Sequence, residues 1–75
     1  MDKFQRDRIG EFLSYYIDII PGHSYSDEDV IRQGIGELIK YNVFTVKQLQ
    51  KEILRIADTI LPIEFIQECA RKRYR

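Results

Sequence analysis

Apolar positions along the 75-residue chain recur at the spacing of amphipathic helices, and the alternation typical of strands is not sustained anywhere. Near the N-terminus they fall three and four residues apart, which predicts a helix from about Lys3 to Ile19. The residues on its apolar face are Ile9, Phe12, Leu13, Tyr16, Ile17 and Ile20. Pro21 and Gly22 end this helix, because proline disfavours helical backbone at the residue before it.

A second helix is predicted to begin near Ser26 and to end near Asn42. Ser26 supplies a capping hydroxyl, and the carboxylates of Asp27, Glu28 and Asp29 face the positive end of the helix dipole. This acidic run therefore has a structural explanation and does not by itself indicate a metal site. The apolar face consists of Ile31, Ile35, Leu38 and Ile39, and Val30 lies beside it. Asn42 suits the left-handed position that follows many helices.

Two glycines interrupt the second helix. A glycine inside a helix costs about 1 kcal/mol relative to alanine, so each position calls for a reason. Gly34 lies on or near the apolar face, where close approach of another helix would explain it. For Gly36 the sequence offers no comparable explanation.

Thr45 is predicted to cap a third helix, with Gln48 at the second position of a capping box. The apolar face of this helix is Val46, Leu49, Ile53, Ile56, Ala57 and Ile60. Val43 and Phe44 bridge the second and third helices and are expected to be buried. Pro62 leaves two alternatives open, since it either begins a fourth helix or kinks the third. The inward residues of a fourth helix would be Ile63, Ile66, Cys69 and Ala70.

These elements predict one all-α domain over residues 1–75, a compact bundle of three to four amphipathic helices. Helices 2 and 3 are expected to form a central antiparallel hairpin. A hydrophobic content of 44% with 32% charged residues is typical of globular chains. Cys69 is the single cysteine, which excludes an internal disulfide framework and fits a reducing compartment. No apolar run approaches the roughly 18 residues of a membrane span, and the polar N-terminus does not resemble a signal peptide. We therefore expect a cytoplasmic protein that does not interact with membranes.

The net charge is zero, but the charge is unevenly distributed. Residues 1–39 contain four basic and eight acidic residues, whereas residues 40–75 contain eight basic and four acidic residues. This asymmetry leaves three interpretations open: a basic binding end, head-to-tail self-association, or neutralisation within the fold.

The sequence contains no constellation typical of an active site. Gly34-Ile35-Gly36 lies inside a helical pattern and lacks the further glycine and the preceding strand of a phosphate-binding loop. His23 and Cys69 are far apart and have no neighbouring partner for catalysis or zinc binding. We therefore expect a non-enzyme without a cofactor, metal or small-molecule substrate.

Binding of another protein is the first functional hypothesis. Apolar residues that lie off the best helix faces are Tyr15, Ile19, Tyr25, Leu54, Phe65 and Tyr74. Either a fourth helix covers them, or a partner buries them, and both alternatives remain open. The hypothesis is a small adaptor or regulatory protein that binds another protein, or itself. Its predicted anchors are Tyr15, Ile19, Leu54 and Phe65, and its predicted basic rim is Lys47, Lys51, Arg55, Arg71, Lys72 and Arg73.

Nucleic-acid binding is the second hypothesis. The spacing of Ile35, Ile39, Val46 and Leu49 is compatible with a helix–turn–helix, and the same basic residues could contact phosphates. However, no glycine lies in the turn, and the basic segment 71–75 falls at a helix C-terminus, where the dipole stabilises it without a ligand. The sequence pI of about 6.6 is also below the usual basic range of such proteins.

Overall fold

The computed structural model describes residues 2–17 and 28–71. Within these ranges the chain forms four helices: α1 (Lys3–Tyr16), α2 (Glu28–Lys40), α3 (Val46–Ala57) and α4 (Ile63–Arg71). No strand occurs among the described residues, so the predicted all-α bundle is confirmed. None of these helices combines the length and the apolar character that crossing a lipid bilayer requires.

One apolar core joins all four helices. The side chains that are almost completely excluded from solvent are Ile9, Leu13, Ile31, Ile35, Leu38, Leu49, Ile53, Ile66 and Cys69. All of them belong to the predicted helix faces, which the structure confirms at these positions. Among the described residues no polar or charged side chain is buried, so burial of apolar surface dominates the stability of the fold.

Two capping boxes begin α1 and α3. At α3 the Gln48 N–H donates to the Thr45 hydroxyl (3.2 Å), and the Thr45 N–H donates to the Gln48 side chain (3.0 Å), as predicted. Asp2 and Gln5 make the equivalent pair at α1, with bonds of 2.8 and 2.9 Å. Both boxes satisfy backbone N–H groups that a helix start leaves unpaired.

Asn42 ends α2 in the left-handed conformation that the sequence predicts, with a φ of 59°. The Val43 N–H donates to the Leu38 carbonyl at 2.9 Å, and the Asn42 N–H donates to the Ile39 carbonyl at 3.1 Å. This pair of bonds is the Schellman motif, which closes a helix and turns the chain sharply. The expected burial of Val43 is wrong, because the side chain emerges from this turn 44% exposed, while Phe44 is half-buried.

The connection between α3 and α4 decides the role of Pro62. α3 ends at Ala57, because Asp58 takes a left-handed conformation with a φ of 52°. Ile60 was expected on the apolar face of the third helix, but this earlier end leaves it 68% exposed. The Pro62 carbonyl accepts the first bonds of α4 from the Phe65 and Ile66 N–H groups. Pro62 therefore precedes a separate fourth helix and does not kink the third.

The packing of the helices corrects one detail of the predicted bundle. α2 packs chiefly against α4 and α1, and α3 packs chiefly against α1 and α4. α2 and α3 follow each other in the chain, but neither is a principal packing partner of the other, so they do not form the expected central hairpin. The turn at Asn42 directs α3 away from α2, and the glycines of α2 let the other two helices approach it closely.

α1 is shorter than predicted. It ends at Tyr16, and Ile17 is extended (φ −138°, ψ 156°), in keeping with the weak helix preference of β-branched residues. Tyr16, expected on the buried face, is 49% exposed as a result. The predicted cap at Ser26, and the predictions for Ile19 and Ile20, lie outside the described residues.

Candidate partner-binding groove

Four aromatic side chains meet where the last two turns of α1 face the connection between α2 and α3. The ring centroid of Tyr16 lies 5.0 Å from that of Phe12 and 5.5 Å from that of Phe44. Phe12 and Phe44 are 5.7 Å apart, and Tyr15 lies 5.9 Å from Tyr16. The tilted and edge-to-face arrangements are those that aromatic pairs prefer. Since Phe12 is buried and Tyr15 is 86% exposed, this aromatic cluster extends from the core to the surface.

An open groove of about 410 Å³ lies between α1 and α3, beside the aromatic cluster. Its lining residues are Arg8, Glu11, Phe12, Tyr15, Tyr16, Arg55 and Ile56. The residues from α1 lie three, four and seven positions apart, so they share one face of that helix. Phe12 and the half-buried Ile56 form an apolar floor, because both also pack against the core.

A smaller depression of about 250 Å³ adjoins this groove and is lined by Val43, Phe44, Gln48, Lys51 and Glu52. Two contacts join residues that line one depression to residues that line the other. Phe44 touches the rings of Phe12 and Tyr16, and Glu52 is ion-paired with Arg55. Together the two depressions are called the aromatic groove below.

Three cations (Arg8, Lys51 and Arg55) and two carboxylates (Glu11 and Glu52) line the aromatic groove. Arg55 donates to the Glu52 carboxylate at 2.6 Å, and this hydrogen bond raises the pKa of Arg55 above its ordinary value. Lys51 forms no ion pair with any other described residue, and neither does Lys47 one turn before it. The Arg8 guanidinium lies 5.6 Å from the ring centroid of Phe4 and likewise has no carboxylate partner in the described part of the chain.

The predicted anchors are not brought together. Tyr15 lies in the aromatic groove, whereas Leu54, although exposed, does not line it. Phe65 is half-buried against the core, and the Arg32 guanidinium lies 4.8 Å from its ring centroid, so little of the ring is available to a partner. Ile19 lies outside the described residues.

Only some residues of the predicted basic rim lie at the aromatic groove. Lys47, Lys51 and Arg55 are all exposed on α3, and the last two line the aromatic groove. Arg71 is exposed at the end of α4 but does not line the groove. Lys72 and Arg73 lie outside the described residues.

Several groove residues were assigned other roles from the sequence. Tyr16 and Phe44 were expected in the core, and Arg8 and Glu11 carried no functional prediction. The adjacent pair Tyr15-Tyr16 at the end of a helical face was the available signal, because neighbouring helix positions point about 100° apart and Tyr15 lies off the apolar face. The contact with Phe44, 28 residues from Tyr16, could not be inferred from local spacing.

Residues suited to metal binding do not cluster in the described ranges. No group of three or more histidine, cysteine or acidic side chains there could hold a metal ion. Cys69 is 1% exposed within the core, and His23 lies outside the described residues.

Comparison with known proteins returns no match among family models, curated proteins or solved structures.

Proposed function

We propose that this chain is a small non-enzymatic binding module, an adaptor or regulator that recognises another protein through the aromatic groove. The observation that carries the proposal is the exposure of Tyr15 and Tyr16 beside an open groove with an apolar floor. Tyrosine is enriched among the residues that dominate protein interfaces, since its ring supplies contact area and its hydroxyl tolerates water. An exposed tyrosine therefore contributes most to the binding free energy when a partner buries its ring.

The groove is also suited to binding because its walls are preorganised. Tyr16 packs against Phe12 and Phe44, and Phe12 is held in the core. A ring that is already fixed loses little conformational entropy when a partner binds. The helices α1 and α3 support both walls of the larger depression, and Val43 and Phe44 of the α2–α3 connection line the smaller one.

The exposed basic stripe favours a second candidate, the binding of nucleic acid. Lys47, Lys51 and Arg55 lie one turn apart and could follow a phosphate backbone. Two features make this the weaker candidate. Glu11 and Glu52 line the same surface and would repel phosphates. Phe12 is buried and Phe44 is half-buried, so only the adjacent rings of Tyr15 and Tyr16 are available for base stacking among the four rings of the cluster.

Selection from an unbiased displayed peptide library tests the proposal. Enriched peptides would be labelled, and their affinities for the wild-type chain, Tyr15→Ala and Tyr41→Ala would be measured by fluorescence anisotropy. Tyr41 is a matched control, because it is an exposed tyrosine that does not line the groove. We expect Tyr15→Ala to weaken binding by about tenfold or more and Tyr41→Ala to leave it within about twofold.

Two results would contradict the proposal. One is a selection that enriches no peptide, and the other is enriched peptides that bind both variants as tightly as the wild type. Binding of single-stranded or duplex DNA, measured in parallel at low and physiological salt, would support the second candidate if its affinity falls steeply with salt.

A further inference from the structure

We infer that the occupant of the aromatic groove is an acidic peptide segment of a partner protein, with a large apolar side chain on the groove floor and carboxylates beside Arg8 and Lys51. This inference rests on the proposed function and specifies the chemistry of the partner. It follows from the arrangement of apolar and charged residues around the groove.

The apolar floor of the groove favours an apolar side chain of the partner as the anchor. Phe12 and Ile56 lie at the bottom of the larger depression, and Phe44 closes the smaller one. The larger depression, at about 410 Å³, is within the roughly 300–1,000 Å³ range of pockets that enclose drug-sized ligands. An aromatic or branched aliphatic side chain of a partner would bury its surface there, and a polar one would lose hydration without a hydrogen-bonding partner on the floor.

The cations at the edges of the groove favour a partner that carries negative charge on both sides of that apolar anchor. Arg8 lies on α1, and Lys51, followed along the surface by Lys47, lies on α3. None of these three cations forms an ion pair with a described residue, whereas Arg55 already holds Glu52. The cations available to a partner therefore lie on two helices, with Arg8 of α1 at the larger depression and Lys51 of α3 at the smaller one. A peptide that reaches both can meet them with its carboxylates.

Two other occupants fit less well. A second copy that applied the same face would bring its own excess of positive charge against this one, and like charges across an interface oppose association. A nucleic acid carries a phosphate at every unit and cannot avoid Glu11, which has no cation bound to it in the described structure. A peptide can place its carboxylates only where the cations are.

The experiment uses the peptides enriched in the library selection with the wild-type chain. We expect their consensus to combine an aromatic or aliphatic residue with flanking glutamate or aspartate. The tightest peptide would then be synthesised in two further forms, with its acidic residues replaced by glutamine or by lysine. The glutamine form should bind about tenfold more weakly, the lysine form more weakly still, and the difference should shrink as salt is raised.

Variants of the chain show which residues make the affinity depend on the charge of the peptide. A double variant carries both Arg8→Gln and Lys51→Gln. It should bind the acidic peptide only slightly more tightly than the glutamine form of that peptide. Lys40→Gln is the control, because Lys40 is an exposed lysine that does not line the groove, and it should retain the wild-type difference between the two forms. All three substituted side chains are exposed, so these variants should fold normally.

Each alternative outcome has a separate meaning. If groove-binding peptides are neutral or basic, or bind equally well in all three forms, the inference is wrong while the proposed function stands. If no peptide is enriched, both fail. If sedimentation equilibrium shows a dimer that Tyr15→Ala dissociates, the occupant is a second copy, and the acidic partner segment is excluded.

Discussion

A Cβ atom on Gly36 would lie 2.5 Å from the main-chain carbonyl oxygen of Cys69, so the backbones of α2 and α4 meet at this point. Gly34 has the same role towards α1, because a Cβ atom there would lie 2.8 Å from the Leu13 side chain and 3.0 Å from that of Ile17. Positions two apart on a helix point about 200° away from each other. The two glycines thus open nearly opposite sides of α2, which explains how it packs against two helices at once.

The first prediction concerns Gly36→Ala, which should lower the free energy of unfolding. A backbone oxygen cannot rotate away, so α4 would have to shift, and overpacking of this kind costs about 1–3 kcal/mol. The gain in helix propensity from alanine, about 1 kcal/mol, does not fully offset that cost. Denaturant unfolding followed by circular dichroism measures the difference.

Gly34→Ala is the matched comparison for this prediction. Its closest neighbours are the terminal methyl groups of Leu13 and Ile17, which can move slightly within their side-chain rotamers. The loss should therefore be smaller than for Gly36→Ala, because the gain in helix propensity offsets more of it. A Gly36→Ala protein as stable as the wild type would show that α2 and α4 do not approach this closely.

The second prediction concerns the left-handed turn at Asn42. Asn42→Ala should destabilise the protein by about 1 kcal/mol, because alanine keeps the Cβ atom that crowds the following carbonyl but lacks the short polar side chain that lets asparagine adopt this conformation. Asn42→Gly should be neutral or stabilising, since glycine adopts the same backbone without that clash. Thermal unfolding of both variants checks the order, and equal melting temperatures would argue against the Schellman turn.

The third prediction concerns the capping box at the start of α3. Thr45→Ala removes the oxygen that accepts from the Gln48 N–H, and it should cost about 1 kcal/mol of stability. Thr45→Ser keeps the hydroxyl and should remain within a few tenths of a kcal/mol of the wild type. If the serine variant were as unstable as the alanine variant, the threonine methyl group, and not the cap, would be the stabilising feature.

The fourth prediction separates the aromatic groove from the core. Tyr15→Ala should leave the free energy of unfolding within about 0.5 kcal/mol of the wild type, because the side chain is almost fully exposed. Leu13→Ala, two residues earlier and fully buried, should cost about 2–5 kcal/mol. Denaturant unfolding of the two variants makes the comparison. A large loss of stability in Tyr15→Ala would mean that the ring supports the fold, and its effect on peptide binding would then not report on the groove alone.

The starts and ends of the helices show which parts of the fold are encoded locally. Thr45 with Gln48 and Asn42 took the predicted conformations, because a cap involves bonds between residues only a few positions apart. The early end of α3 at Asp58 was missed, since aspartate is only an occasional left-handed residue and the apolar period continues to Ile60. Local signals thus identified the helices but not all of their limits.

Fewer residues of the candidate site than of the core could be predicted from the sequence. Tyr15, Lys51 and Arg55 were identified, because an apolar residue off the helix face and a charge stripe are visible in the spacing itself. Phe65 was expected to be an anchor for the same reason, but the ring is half-buried against the core, with Arg32 beside it. Periodicity indicates the direction of a side chain from its own helix and cannot indicate which neighbour lies there.

The sequence by itself therefore determined the helical class, the residues at the centre of the core and the caps at Asn42 and Thr45, since these depend on periodicity and on hydrogen bonds within a few residues. Only the tertiary structure decided that α2 packs between α1 and α4, that Gly36 meets Cys69, and that Tyr16 meets Phe44 to shape the aromatic groove. The contacts of Gly36 with Cys69 and of Tyr16 with Phe44 join residues 33 and 28 positions apart, and they depend on which complementary surfaces fit together. Many pairings of four amphipathic helices bury similar apolar area, so side-chain packing at close contacts selects among them.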